Sequence, residues 1–175
     1  MANIIKHGAV VQDTHIRFDT ADLVDLSGEL NDDWHDGGAL PPGGLLVPLA
    51  LWLKHRAALS LFPRTGVLLA PGDDPARLAG DTGRLGLIAV DFPKFTDGRG
   101  LSTGRLLRER FGFRGELRAV GHILPDQVYF LSRAGFDAFE LPDGRIADAL
   151  ASLTPFSAPY QGAVDQPPLF LRRAA

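Results

Sequence analysis

The stretch from Gly86 to Gly104, GLIAVDFPKFTDGRGLSTG, constrains the fold of this chain more than any other stretch. Its first part, Leu87 to Val90, is an apolar run with the length and composition of a strand buried on both faces. A polar loop with two glycines follows, and Ser102 is predicted to cap the next helix. This succession is typical of α/β proteins, which place ligand sites at the carboxyl ends of their strands.

Strand-like and helix-like segments alternate along the rest of the chain. Three more strands are predicted, at Gly66–Ala70, Glu116–Gly121 and Phe136–Leu141. Helices are predicted at 45–61, 76–78, 102–111, 126–134 and 146–153. This alternation predicts βαβ units and parallel pairing. We expect an α/β fold with a small open parallel sheet of about four strands and flanking helices on its faces. The alternative is a partial TIM-like barrel.

The two ends of the chain differ from this core. Residues 4–18 alternate weakly, which predicts a short β-hairpin with its turn at His7-Gly8 or Asp13-Thr14. Residues 19–42 are acidic and rich in glycine and proline, so we expect them to be irregular. We therefore expect a single domain over 1–175: the hairpin and an irregular lead-in over 1–44, an α/β core over 45–153 and an extended tail over 154–175.

Composition excludes several classes of function. The net charge of −3 gives no reason to expect nucleic acid or an anionic membrane as a partner. The chain has no cysteine, so it cannot form disulfides, thiol nucleophiles or cysteine-ligated metal centres. Its five histidines lack metal-ligand spacing, and no metal site is predicted. The N-terminus lacks the apolar core of a signal peptide, so a cytoplasmic location is expected.

The loop after the central strand predicts an anion site. Lys94, Arg99 and Arg105 supply positive charge, and the helix N-terminus adds unpaired N–H donors. Sulfate, sulfite or a phosphate group would suit such a site. In the alternative interpretation, Asp97 pairs with Arg99 or Arg105 and only fixes the loop.

Three residues near this loop are candidates for acid–base catalysis: Asp91, Asp97 and His122. A magnesium site that also uses Asp73 and Asp74 is the other possibility for the carboxylates, although Asp73-Asp74-Pro75 is an ordinary helix start. The spacing Gly98-x-Gly100-x-x-x-Gly104 is similar to a dinucleotide fingerprint. It starts too far beyond the strand for the tight turn that the fingerprint needs, so no cofactor is assigned.

A set of segments carries a resemblance to known sequences: Phe92–Gly100, Arg105–Arg110, Gly115–Gly121, Asp126-Gln127 and Gly135–Phe139. Together they resemble a bacterial domain family of unknown function, with a close match over 87–141. Members are commonly encoded beside assimilatory sulfite reductase and phosphoadenylylsulfate reductase, and many are labelled probable oxidoreductases of sulfite reduction. The resemblance therefore implies a role in sulfur assimilation.

The resemblance also selects residues. Those that this chain retains are the expected ligand-binding residues: Lys94, Asp97, Arg99, Ser102, Arg105, Arg118 and Gln127. The chain departs from the family pattern at four positions. Leu101 replaces a typical tyrosine, His122 an aspartate, Pro125 an arginine and Ala134 a frequent cysteine. A mechanism that needs those groups is not expected here.

These observations lead to two functional hypotheses. In the first, the protein is an accessory protein of assimilatory sulfate or sulfite reduction that binds an anionic ligand or a partner reductase. In the alternative, it is an enzyme that acts on a small anionic substrate at the Asp91–Arg105 loop. The proline- and aromatic-containing ends favour contact with another chain, and a homo-oligomer is expected.

Overall fold

The computed structural model describes residues 3–17, 43–62, 64–154 and 161–166. Within these ranges the strands are β1 (Asn3–Lys6), β2 (Ala9–Gln12), β3 (Ile16–Arg17), β4 (Leu45–Pro48), β5 (Gly66–Leu69), β6 (Leu87–Phe92), β7 (Glu116–Gly121) and β8 (Ala138–Glu140). The α-helices are α1 (Leu49–Lys54), α2 (Arg56–Leu59), α3 (Arg99–Glu109), α4 (Val128–Arg133) and α5 (Ile146–Ser152). Short 3₁₀ helices lie at Pro75–Leu78, Pro125–Gln127 and Asp143–Arg145. Among the described residues, no helix has the length and apolar character needed to cross a membrane.

All eight strands belong to one sheet, in the order β2-β1-β8-β7-β6-β5-β4-β3. The strands from β3 to β8 run parallel, and each lies beside its neighbours in the chain. β1 pairs antiparallel with both β8 and β2. The predicted α/β class is confirmed, but the prediction of about four strands is wrong. The four predicted strands are β5 to β8, and the sheet also contains the hairpin, β3 and β4.

The N-terminal hairpin forms as predicted, with its turn at His7-Gly8. Both turn residues have positive φ angles, 49° for His7 and 77° for Gly8, as tight hairpin turns require. The hairpin does not stand apart from the core, because Ile5 lies opposite Phe139 of β8. The predicted irregular lead-in at 19–42 lies outside the described residues, as does most of the predicted tail.

The segment that starts at Leu45 is a strand for four residues before it becomes a helix. A helix over 45–61 was predicted, with Pro48 in its first turn. Instead, Leu45–Pro48 is β4, and α1 begins at Leu49 directly after Pro48. Periodicity cannot separate a short buried strand from a buried helix segment when every residue is apolar. In the structure, Leu46 and Val47 pair with Gly66 and Val67 of β5, so the segment is a strand.

The helices cover one face of the sheet. Buried side chains from α1, α3, α4 and α5 join one hydrophobic cluster with alternate strand residues such as Val67, Ile88 and Leu117. The other face carries a smaller cluster built from strand residues: Leu46, Leu87, Ala89 and Val120. In the part of the chain that the structure describes, the expected helices on a second face are not found. Right-handed crossovers between sequential parallel strands all advance in one direction and place their helices on the same side. This strand order is that of the alternative prediction, a partial TIM-like barrel.

The sheet is curled because its two edge strands are neighbours in the chain. Only residues 13–15 connect β2, at one edge, to β3, at the other. Four residue steps from Gln12 to Ile16 span at most about 14 Å. The connection therefore holds the two edges near each other, and the face without helices is concave.

A buried guanidinium on the concave face binds this connection to the middle of the sheet. The Arg118 side chain, on β7, is 1% exposed. Its Nη1 donates to Asp13 Oδ2 at 2.8 Å and its Nε donates to Glu116 Oε1 at 2.8 Å. Lys6 Nζ lies 2.7 Å from the other oxygen of Glu116. We call Lys6, Asp13, Glu116 and Arg118 the concave ion cluster.

Both carboxyl groups of the concave ion cluster are held in the ionised form. Burial raises the pKa of Asp13, but hydrogen bonds from His15 and the charge of Arg118 outweigh it and keep this pKa well below its usual range. Burial also raises the pKa of Glu116, and the hydrogen bond from Lys6 and the charge of Arg118 lower it below its usual value. The folded state therefore resists protonation of both groups.

Replacing Arg118 with methionine is expected to lower the free energy of unfolding by about 3 kcal/mol or more, because Asp13 and Glu116 lose their buried cation. Urea denaturation measures the change. Arg105→Met is the matched control, since it removes an exposed i,i+4 ion pair with Glu109 and should leave the midpoint unchanged. Equal midpoints for the two variants would contradict the proposed importance of the cluster.

Stability is expected to fall as the pH is lowered below about 4. The unfolded chain binds protons at a higher pH than the folded chain does, because the folded-state pKa values of Asp13 and Glu116 are lowered. Acid therefore favours unfolding. Asp13→Asn should make the fall shallower, and urea midpoints measured from about pH 5 to pH 3 test this. A slope equal to that of the wild-type protein would rule out the contribution of Asp13.

Candidate functional site

The loop after β6 and the N-terminus of α3 lie at the carboxyl end of the parallel strands, where the sequence predicts the site. The helix begins at Arg99, with Gly98 as its N-cap. The prediction that Ser102 caps it is wrong, because Ser102 lies one turn inside the helix with its side chain exposed. The side chain of Asp97 binds the start of the helix instead, because its Oδ1 accepts the Arg99 backbone N–H at 3.2 Å.

The Asp97 side chain also pairs with the Arg99 guanidinium. Arg99 Nη2 donates to Asp97 Oδ2 at 2.6 Å, and Arg99 Nε donates to Oδ1 at 2.9 Å. The side-chain and backbone hydrogen bonds from Arg99 lower the pKa of Asp97 to about 2. Asp97 is therefore a fixed carboxylate at neutral pH, and the alternative interpretation of this loop, an internal Asp97–Arg99 pair, describes its geometry.

The other predicted anion-binding cations, Lys94, Arg105 and Arg118, each have a different environment. Arg105 Nε donates to Glu109 Oε2 at 2.9 Å, one turn further along α3. The Lys94 side chain is exposed and makes no hydrogen bond or ion pair with the described residues. Arg118 lies on the concave face in the ion cluster and does not join the loop. Of the predicted anion-binding cations, Lys94 is thus the one that has no partner in the described part of the chain.

The candidate acid–base residues do not form a cluster. Asp91 is half-buried on β6, and within the described residues its carboxylate makes no hydrogen bond. It lines a cavity of about 20 Å³ together with Asp97, Arg99 and the end of β5, which is room for about one water molecule. His122 is exposed beyond β7, and its backbone N–H donates to the Phe92 carbonyl at 2.6 Å.

The predicted alternative of a magnesium site uses Asp73 and Asp74. Both carboxylates accept backbone N–H groups: Asp73 from Ala70 at 2.8 Å, and Asp74 from Ala76 at 2.9 Å. These bonds are those of an ordinary turn and helix start. Among the described residues, no three histidine or acidic side chains form a group that could hold a metal ion.

The glycine spacing that is similar to a dinucleotide fingerprint has a packing explanation. Gly100 and Gly104 are buried on α3, and a Cβ atom would overlap the Phe92 ring at Gly100 and the Phe136 ring at Gly104. These two rings pack edge to face, with centroids 5.9 Å apart. Nothing lies within 4 Å of a Cβ atom built at Gly98. The glycines therefore bring the helix close to two aromatic rings.

An aromatic pocket lies beside this loop, between the start of α3 and α4. It has a volume of about 270 Å³, and its apolar lining consists of Phe92, Phe95, Leu101, Phe130 and Leu131. Two of these rings face solvent: Phe95 is 54% exposed and Phe130 is 63% exposed. We call this set the aromatic pocket, and residues 96–98 form part of its polar rim.

Gln127 holds the wall of the aromatic pocket. Its Nε2 donates to the Phe95 carbonyl at 2.6 Å, and its Oε1 accepts the Leu124 backbone N–H at 3.0 Å. The side chain therefore bridges the loop after β6 and the loop after β7. Gln127 is one of the predicted ligand-binding residues, and in the structure its side chain supports the wall of the pocket.

A comparison with protein-family models finds one match on this chain. The family described as bacterial protein of unknown function, DUF934, matches residues 66–170. The chain belongs to this family. The match extends from β5 through the aromatic pocket and past α5, so it includes the whole candidate site. No curated protein matches the chain. Membership of a bacterial family of unknown function is confirmed, and the link to sulfite reduction stays a prediction.

The positions at which this DUF934 member departs from the expected pattern fall around the aromatic pocket or near it. Leu101 is half-buried and lines the pocket. Pro125 is buried at the start of the 3₁₀ helix that precedes α4, and Ala134 is the C-cap of α4. His122 lies in the loop that Gln127 bridges to Phe95.

Sequence reasoning missed the exposed aromatic residues of this DUF934 member. Phe130 lies in the helix predicted at 126–134, but Val128 and Leu131 are its buried pair at i and i+3. Phe130 falls between them and off their stripe, and that spacing could have revealed it. Phe95 stands alone among polar residues in a loop, which is unusual for a core ring.

Gly104→Ala is expected to lower the free energy of unfolding of this DUF934 member by about 1–2 kcal/mol. The overlap with Phe136 costs more than the gain in helix propensity, which is about 1 kcal/mol. Gly98→Ala is the matched control and should have little effect, since its Cβ atom meets open space. Thermal denaturation compares the two, and a Gly104→Ala protein as stable as the control would contradict the packing role.

Proposed function

We propose that this protein is an accessory protein of assimilatory sulfate or sulfite reduction that binds a partner reductase through the aromatic pocket. One observation carries the proposal: Phe95 and Phe130 expose most of their rings beside a preformed apolar pocket. Large aromatic side chains at the centre of a surface patch are typical of residues that dominate protein–protein binding. The partner class follows from the family resemblance.

Charge favours a protein partner over a free anion at this edge of the sheet. Arg99 is paired with Asp97, and Arg105 is paired with Glu109. A free anion would have to compete with these carboxylates, and it would have Lys94 as its unpaired cation. For a protein partner, the same charged side chains serve as a polar rim around an apolar centre.

The geometry also favours binding over catalysis at the Asp91–Arg105 loop. Asp91 opens onto a cavity of about 20 Å³, which is far smaller than the usual volume of a substrate pocket, about 300 Å³ or more. The pocket of suitable size is lined mainly by apolar side chains. The alternative hypothesis, an enzyme of small anionic substrates, therefore ranks second.

The experiment is a binding measurement between the full chain and the purified sulfite reductase and phosphoadenylylsulfate reductase of the same organism. Surface plasmon resonance with the reductase immobilised gives the dissociation constant. The double variant Phe95→Ser, Phe130→Ser should weaken binding by about tenfold or more, because each ring is expected to be a major contact. Leu61→Ser is the matched control, since Leu61 is 69% exposed but lies outside the pocket, and it should bind as the wild-type chain does.

Three outcomes would overturn the proposal. The first is absence of binding to both reductases. The second is a double variant that binds as tightly as the Leu61→Ser control. The third is a double variant that changes a homodimer into a monomer while reductase binding is unaffected, which would make the aromatic pocket a self-association surface. Circular dichroism of each variant shows that it is folded.

A further inference from the structure

A second pocket lies at the opposite end of the parallel strands, where β5 and β6 begin. Its volume is about 270 Å³, and it is lined by Lys6, Thr14, His15, Arg64, Gly86 and Leu87. Leu87 is the first residue of β6, and Arg64 lies two residues before the start of β5. This basic pocket therefore lies at the amino-terminal mouth of the curled sheet, away from the aromatic pocket at the carboxyl ends.

The lining of the basic pocket contains three basic side chains and no carboxylate. The nearby acidic groups, Asp13 and Glu116, already bind Arg118, and Glu116 also binds Lys6. Three cations, Lys6, Arg64 and Arg118, thus face two anions, which leaves one positive charge when His15 is neutral.

Arg64 is the side chain that provides this unbalanced charge. It is exposed, and it makes no hydrogen bond or ion pair with the described residues. Its planar guanidinium has five N–H donors in a fork that matches two oxygens of an oxyanion. Lys6 and His15 supply further donors at the same mouth.

The backbone at Arg64 is held in an uncommon conformation. Its φ angle is 68°, in the left-handed region that few residues other than glycine adopt. Two features hold it in place. The Arg64 carbonyl oxygen lies so close to Gly44 that a Cβ atom built there would overlap it. The hydroxyl of the next residue, Thr65, donates to the carbonyls of Leu59 and Phe62. The start of the Arg64 side chain is therefore fixed beside the mouth.

We propose that the basic pocket binds a small divalent oxyanion of the sulfate, sulfite or phosphate type, with Arg64 as the main ligand and Lys6 and His15 as supporting donors. The volume of about 270 Å³ accommodates a small hydrated anion. This inference does not depend on the proposed partner reductase, since the two sites lie at opposite ends of the sheet and are tested with different variants.

The test is isothermal titration of the full chain with sodium sulfate, sodium sulfite and sodium phosphate, with ionic strength kept constant by sodium chloride. Saturable binding of one anion per chain is expected for at least one of the three. Arg64→Gln should weaken it at least tenfold. Arg77→Gln is the matched control, because it removes the same charge from an exposed position in the 3₁₀ helix Pro75–Leu78 and should leave the dissociation constant unchanged.

A second variant guards against misfolding. Arg64→Gly also removes the guanidinium, and it suits the left-handed backbone, since glycine adopts positive φ angles without strain. It should lose binding as Arg64→Gln does while keeping the wild-type melting temperature. Absence of saturable binding for all three anions in the millimolar range would overturn the proposal. So would binding by a folded Arg64 variant that equals binding by the Arg77→Gln control.

Discussion

The Arg118 guanidinium on the concave face connects parts of the chain that are far apart in sequence. It binds Asp13, which lies 105 positions earlier in the chain, and Glu116, which also binds Lys6 of the hairpin. Asp13 belongs to the three-residue connection between the two edge strands. A buried ion pair adds little net stability compared with apolar packing, but the loss of one partner is costly. The cluster therefore specifies one geometry, in which the edges of the sheet come together around β7.

The curl has consequences for both ends of the sheet. The described helices lie on one face of the sheet. The loops at the carboxyl ends of the strands lead from the sheet to these helices. The aromatic pocket forms there because α3 approaches β6 closely at Gly100 and because Gln127 bridges two loops. At the amino ends, the same curl places Arg64 near Lys6 and His15. The two ends of the sheet therefore carry pockets of opposite character, one apolar and one basic.

Local sequence patterns were enough to predict the central strands of the sheet, but not all of the strands towards its edges. The apolar run 87–90 was predicted correctly as a strand, and the hairpin turn formed at His7-Gly8, one of the two predicted positions. Leu45–Pro48 was predicted as a helix because Leu46 has helical spacing to the apolar residues that follow it. The start of α3 was predicted at Ser102 because serine is a good cap, but Asp97 and Gly98 perform this role one turn earlier. The pairing of Arg118 with Asp13 could not be predicted, since no local pattern relates positions 13 and 118.

Local sequence patterns were also insufficient to predict which charged side chains of the candidate site are free. Charged residues in a loop predict an anion site only when their charges are free, and pairing is a property of the folded chain. Asp97 and Glu109 neutralise the arginines that made this loop attractive, whereas Arg64, which no motif singled out, has its charge free within the described residues. Leu101 fits this division: the family resemblance leads us to expect a tyrosine at this position, and Leu101 lines the aromatic pocket. An aliphatic side chain there removes a hydroxyl from the wall and makes the pocket more apolar, which suits a protein surface better than an oxyanion.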